Sequence, residues 1–107
     1  MQNKEQEARA IHRRGSGCSY AVYNVFADVN KKSTRPPMPR LEGGKCGAVL
    51  AAEKTLREMG VGRVEEFEAR FLAEFGSLKC RDLCRKGVSC NDCVGRAAGI
   101  AQELMDR

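Results

Sequence analysis

Apolar residues recur at helical spacing along most of this chain, and no stretch alternates with the two-residue period of a strand. Residues 17–29 place Cys18, Ala21, Val22, Val25, Phe26 and Val29 on one face. Residues 45–59 do the same with Cys46, Val49, Leu50, Leu56 and Met59. Residues 63–75 carry a stripe of Val64, Phe67, Phe71 and Phe75 that Gly76 closes. A short stretch over 78–86 stops at Gly87. Residues 90–105 align Val94, Ala97, Ala98, Ala101 and Leu104, with Ile100 at the edge. The first polar stretch, 4–13, predicts a further helix ended by Gly15. Gly60 followed by Val61 reads as a Schellman end with its hydrophobic contact. Residues 30–44, with Pro36, Pro37 and Pro39, predict an exposed loop. The expectation is an all-α fold, a small bundle of about four to five helices with a Pro-rich connecting loop. Short connections favour an up-and-down arrangement.

At 107 residues the chain is one helical domain by size, spanning 1–107 with residues 1–7 loose. A domain of this length folds without staples. The charged fraction of 31% is mixed in sign, and the net charge of +5 gives weak attraction to anionic surfaces. Lys31, Lys32, Arg35 and Arg40 form one local basic group, read as a solvated loop. No aromatic residue interleaves with it, so nucleic-acid binding is not expected. The polar start, Met1 to Glu7, is followed by no apolar h-region, and no stretch approaches the length of a membrane span. A cytoplasmic location is the expectation.

Six cysteines change this picture. Four of them, Cys18, Cys46, Cys80 and Cys90, sit where helices are expected to start. Cys18 follows Gly15-Ser16-Gly17, and Cys46 follows Gly43-Gly44-Lys45. Cys80 comes three residues after Ser77, an N-cap type, and Cys90 follows Ser89. A thiol in a first turn meets unpaired N–H groups and the positive end of the macrodipole, which favour its thiolate. Cys84 and Cys93 come about one turn later. Pairs spaced four (Cys80, Cys84) and three (Cys90, Cys93) share a helix face, with Cβ atoms roughly 5–6 Å apart. That separation suits a common metal better than a disulfide. In a reducing compartment such cysteines read as redox-active or metal-binding. Cys90-Asn91-Asp92-Cys93 is a Cys-x-x-Cys without the βαβ context of a thioredoxin. Val94 after Cys93 rules out the usual haem attachment motif. Cys46 is the expected lowest-pKa thiol, favoured by its glycines, its helix start and Lys45. The Phe67, Phe71 and Phe75 stripe reads as core. Tyr20 and Tyr23 read as packing residues. His12 is expected to face solvent or to cap its helix.

Four segments together carry a resemblance. They are Gly17-Cys18-Ser19-Tyr20-Ala21-Val22, Gly44-Lys45-Cys46-Gly47-Ala48-Val49, Phe75-Gly76-Ser77-Leu78-Lys79-Cys80-Arg81-Asp82-Leu83, and Cys90 before Val94 and Ala97-Ala98. Their order over about residues 8–105 resembles the C-GCAxxG-C-C family of proteins assigned to redox chemistry. The family signature Cys-Gly-Ala-x-x-Gly is matched by Cys46-Gly47-Ala48-Val49-Leu50-Ala51, with Ala51 in place of the last Gly. The connections from Cys18 to Cys46 and from Gly60 to Phe67 are shorter than the family's. Cys84 and Cys93 are additional to its four cysteines. The resemblance implies a small helical bacterial or archaeal redox protein with no secure substrate. A similar four-cysteine arrangement is associated with iron–sulfur binding in split-Soret cytochromes.

The leading expectation is a redox protein in which Cys18, Cys46, Cys80 and Cys90 converge on one catalytic site. It would work by dithiol/disulfide exchange or through a cysteine-ligated iron–sulfur cluster, as a thiol-disulfide oxidoreductase or an electron carrier. Thiol chemistry leads, because Cys84 and Cys93 could act as resolving thiols. The alternatives are a non-catalytic zinc site on Cys80, Cys84, Cys90 and Cys93, and a structural disulfide-bonded bundle. The expected partner is a redox protein of unspecified identity. The oligomeric state is open, a homodimer included.

Overall fold

A computed structural model describes residues 3–27 and 45–106, with the side chain of Cys80 left out. The predicted Pro-rich loop, its basic group and Val29 lie outside the described residues. The described chain is all-α and contains six helices rather than four to five. They are α1 (Lys4–Arg13), α2 (Cys18–Val25), α3 (Gly47–Glu58), α4 (Val64–Phe75), α5 (Cys80–Arg85) and α6 (Cys90–Met105). No helix among the described residues is long and apolar enough to cross a membrane.

Residues 4–7, expected to be loose, form the first turn of α1. Asn3 caps it by accepting the N–H of Gln6 at 3.2 Å, and Glu5 and Glu7 lie near the positive end of the dipole. Lys4 is 6% exposed, and its Nζ donates to the Val25 carbonyl at 3.0 Å, at the end of α2. Helix α2 stops at Val25, short of the predicted 29. Helix α3 ends as predicted. The N–H of Gly60, at φ +74°, reaches the Arg57 carbonyl and that of Val61 reaches the Leu56 carbonyl, which is the Schellman pattern. Met59, expected to point inward, is only half-buried, because it is the capping residue.

Helix α6 is the centre of the fold, and α1, α2, α3 and α4 all pack on it. Its inner residues are small: Gly95, Ala97, Ala98, Gly99 and Ala101 are buried. A Cβ on Gly95 would stand 2.1 Å from Arg9 Nε, and one on Gly99 2.7 Å from Glu5 Oε1. These two glycines thus leave room for the Arg9 and Glu5 side chains of α1, which a Cβ at either position would displace. Ile100, placed at an edge by the sequence pattern, is buried as part of the hydrophobic core. Phe67 and Phe71 are fully buried with ring centroids 6.1 Å apart, and Phe75 packs against Phe71 at 4.8 Å. Each buried Phe contributes about 1.5–3 kcal/mol of apolar burial. Tyr23 is buried with its hydroxyl on Glu58, whereas Tyr20, expected to pack, is exposed.

Candidate thiol site

The cysteines stand at helix starts, as their flanking residues predict. Cys18, Cys80 and Cys90 are the first residues of α2, α5 and α6, and Cys46 is the N-cap of α3. The caps differ in detail from expectation. Ser89 caps α6, accepting the Asp92 N–H at 3.0 Å. Ser77 is not the N-cap of α5. Lys79 is, and Ser77 Oγ, two residues before it, accepts the Lys79 N–H and donates to Asp82 within the helix.

Two backbone devices gather these starts. Lys45 and Lys79, each one residue before a cysteine, form an isolated antiparallel bridge. The Cys46 N–H donates to the Leu78 carbonyl at 2.8 Å, so the beginnings of α3 and α5 lie side by side. Helix α5 then ends in a second Schellman turn, with Gly87 N–H on the Cys84 carbonyl and Val88 N–H on the Leu83 carbonyl. The hydrophobic contact of that turn, Leu83 with Val88, supplies one wall of a cavity of about 310 Å³.

Five cysteines line this cavity: Cys18, Cys46, Cys84, Cys90 and Cys93. Three of the four residues expected to converge, Cys18, Cys46 and Cys90, are thus brought together. The side chain of Cys80 lies outside the described residues. Cys46 and Cys93 are buried, Cys18 is half-buried, and Cys84 and Cys90 are exposed. No disulfide joins any two of these five. The remaining lining residues are Gly17, Ser19, Gly47, Leu83 and Val88, so no charged side chain faces the cavity among the described residues.

Cys46 and Cys93 are linked by a hydrogen bond. The Cys93 thiol donates to the Cys46 sulfur, and this bond, with help from the N–H groups of Ala48 and Val49, lowers the Cys46 pKa to about 7 against the opposing effect of burial. No cap bond is formed to the sulfur, so those first-turn N–H groups act as nearby dipoles. Cys93 is pushed far up, first by holding its proton on Cys46, then by burial and by the charges of Cys46, Cys90 and Cys18. Lys45, expected to favour the Cys46 thiolate, does not do so. Its Nζ turns to Glu68 at 2.8 Å and Glu53 at 3.4 Å, because two carboxylates attract it more strongly than one sulfur.

His12 departs furthest from expectation. It is half-buried, with Nε2 3.8 Å from Cys18 Sγ and Nδ1 3.2 Å from Asn91 Nδ2. Ala8, Ile11 and His12 share one stripe of α1, and Ala8 is fully buried. That stripe was the signal that the polar helix has an inner face.

Cys84, Cys90 and Cys93 from the zinc reading also line the cavity, without a described Cys80 to complete the set. Among the described residues no three His, Cys, Asp or Glu are grouped to hold a metal ion. Comparison of the chain with family models, with curated proteins and with solved structures gives no match.

Proposed function

We propose that this chain is a redox protein that exchanges thiols with a compact, uncharged disulfide. The observation that carries the reading is one cavity lined by five cysteines, one of which, Cys46, has its pKa lowered to about 7. Thiolates are the attacking species in exchange, and a pKa near ambient pH gives the best balance of population and nucleophilicity. The Cys46 thiolate attacks one sulfur of the substrate disulfide. A Cys46–substrate disulfide forms, the substrate S–S bond breaks, and a substrate thiolate leaves. The Cys93 proton, no longer held by an anionic Cys46, neutralises that thiolate. Cys93, now ionised, attacks the Cys46 sulfur and expels the second substrate thiolate, which takes a proton from water. Two cysteine thiols are oxidised and one disulfide is reduced, by two electrons. A partner protein dithiol returns the site to its reduced form. A reducing compartment, the cytoplasm, is the setting in which the resting thiols persist.

The cavity walls argue for the substrate class. The volume is at the lower end for small-molecule sites, and no charged group among the described residues faces it. The test is single-turnover reduction of 2-hydroxyethyl disulfide, cationic cystamine and anionic dithiodiglycolate at physiological salt, each rate divided by that of a free thiol. The neutral disulfide is expected to react fastest, leaving a Cys46–Cys93 disulfide in the peptide map. Rates no greater than those of the free thiol, or an oxidised product lacking Cys46, would reject the reading.

A further inference from the structure

Cys18 touches a chain of polar side chains that lies outside the cavity lining. Its geometry assigns the hydrogens of Asn91 and His12. The Asn91 amide is oriented at both ends without reference to His12. Its Nδ2 donates to the Arg9 carbonyl at 3.1 Å, and Arg9 NH1 donates to its Oδ1 at 3.4 Å. A carbonyl can only accept and a guanidinium can only donate, so the amide has one orientation. Arg9 is itself held by Asp92 at 2.8 Å and Glu5 at 3.1 Å, in the space that Gly95 leaves open. The second N–H of Asn91 Nδ2 then faces His12 Nδ1 at 3.2 Å, and Nδ1 must accept. A neutral imidazole whose Nδ1 accepts carries its proton on Nε2. Nε2 is the atom 3.8 Å from the Cys18 sulfur.

We propose that His12 is a positioning residue that donates a hydrogen bond from Nε2 to the Cys18 sulfur, in a tautomer locked by Asn91 and Arg9. It is not a base that removes the Cys18 proton. The role rests on the thiol-exchange reading for its use. An N–H aimed at sulfur favours the thiolate, and a stabilised thiolate leaves faster from a disulfide. When another thiolate attacks a disulfide that includes Cys18, the new S–S bond forms at the other sulfur. The bond to Cys18 breaks, its electron pair stays on Cys18, and the resulting thiolate accepts the His12 N–H without any proton transfer. His12 thus marks Cys18 as the sulfur released.

Long-range ¹H–¹⁵N correlation spectra of the reduced full chain read the tautomer directly. A protonated Nε2 with a bare Nδ1 is expected, and a protonated Nδ1 or an imidazolium at neutral pH would overturn the proposal. His12→Leu removes the Nε2 donor and leaves the Asn91 amide oriented by Arg9. Iodoacetamide labelling of Cys18, measured against Cys90 in the same molecule, should then slow about tenfold, the effect of one hydrogen bond to a charged acceptor. An unchanged Cys18 rate would overturn the role. If His12→Leu does not fold, the spectrum of the unaltered protein decides alone. A correct tautomer and a slowed Cys18, in a protein that reduces no disulfide, would sink the exchange reading and leave His12 in place.

Discussion

Helix α3 carries two hydrogen-bonded acid pairs, and they approach neutrality from opposite sides. At its N-cap, Cys46 is lowered from the usual thiol value to about 7 by the Cys93 S–H and the first-turn N–H groups. Two turns further along, Glu53 is 1% exposed and is raised to about 7, first by burial, then by its hydrogen bond to Glu68 and by that residue's charge. Both sites link two acids by a hydrogen bond. At the helix start the backbone supplies donors to an anion. In the helix interior every N–H is already used, so desolvation prevails. Glu53 Oε2 has no hydrogen-bond partner, and a proton on the carboxyl removes the charge that burial penalises. Lys45 bridges the two carboxylates and offsets only part of the penalty. Position along one helix therefore decides whether burial or donation wins.

Removing the buried acid should have the largest effect. Glu53 ionises at lower pH in the unfolded chain than in the folded one. Between about pH 4.5 and 7 the unfolded state loses a proton that the folded state keeps, so stability falls as pH rises through that window. Glu53→Gln should remove this slope and raise stability at pH 8 by about 2 kcal/mol, with little change at pH 4. Urea unfolding at the two pH values measures it. Equal effects at both would mean that Glu53 is ionised in the folded protein.

Next comes the thiol pair. Cys93→Ala deletes the principal donor to Cys46 and leaves the N–H groups of Ala48 and Val49. The pH of half-maximal Cys46 alkylation should rise from about 7 by roughly one pH unit, about 1.4 kcal/mol. If it stays near 7, the helix start alone sets the thiolate. The smallest effect is expected for Lys45→Gln. It should cost about 0.5 kcal/mol of stability, through the carboxylates, and leave the Cys46 profile in place. A Cys46 profile that moved as much as in Cys93→Ala would restore Lys45 to the thiol site.

Periodicity and flanking glycines made the helices and the four cysteine-bearing starts legible. Such signals are local, because a cap or a Schellman turn is completed within a few residues. What stayed hidden is relational. That Lys45 chooses Glu68 over Cys46 depends on α4 lying beside α3. That His12 meets Cys18 and Asn91 depends on α1 lying against α6, which Gly95 and Gly99 permit. Nothing in the spacing of His12, Cys18 and Asn91 along the chain predicts their meeting. Cys93 was legible only as an extra thiol, since its proton bond to Cys46 joins the starts of two helices far apart in sequence.

The central place of α6 has a consequence for how the chain acquires its shape. Helices α1 to α4 all precede in synthesis the helix they pack on. Until α6 is made, their apolar faces have no common partner, and Cys18 and Cys46 exist without Cys90 and Cys93. Early hairpins of this kind expose apolar surface, as incomplete intermediates do. The thiols at that stage are open to pairing with one another or with other chains. Arrival of α6 both closes the core and gives Cys46 the proton donor that tunes it. The hydrogen bond from Cys93 to Cys46 can therefore form only once α6 has been made.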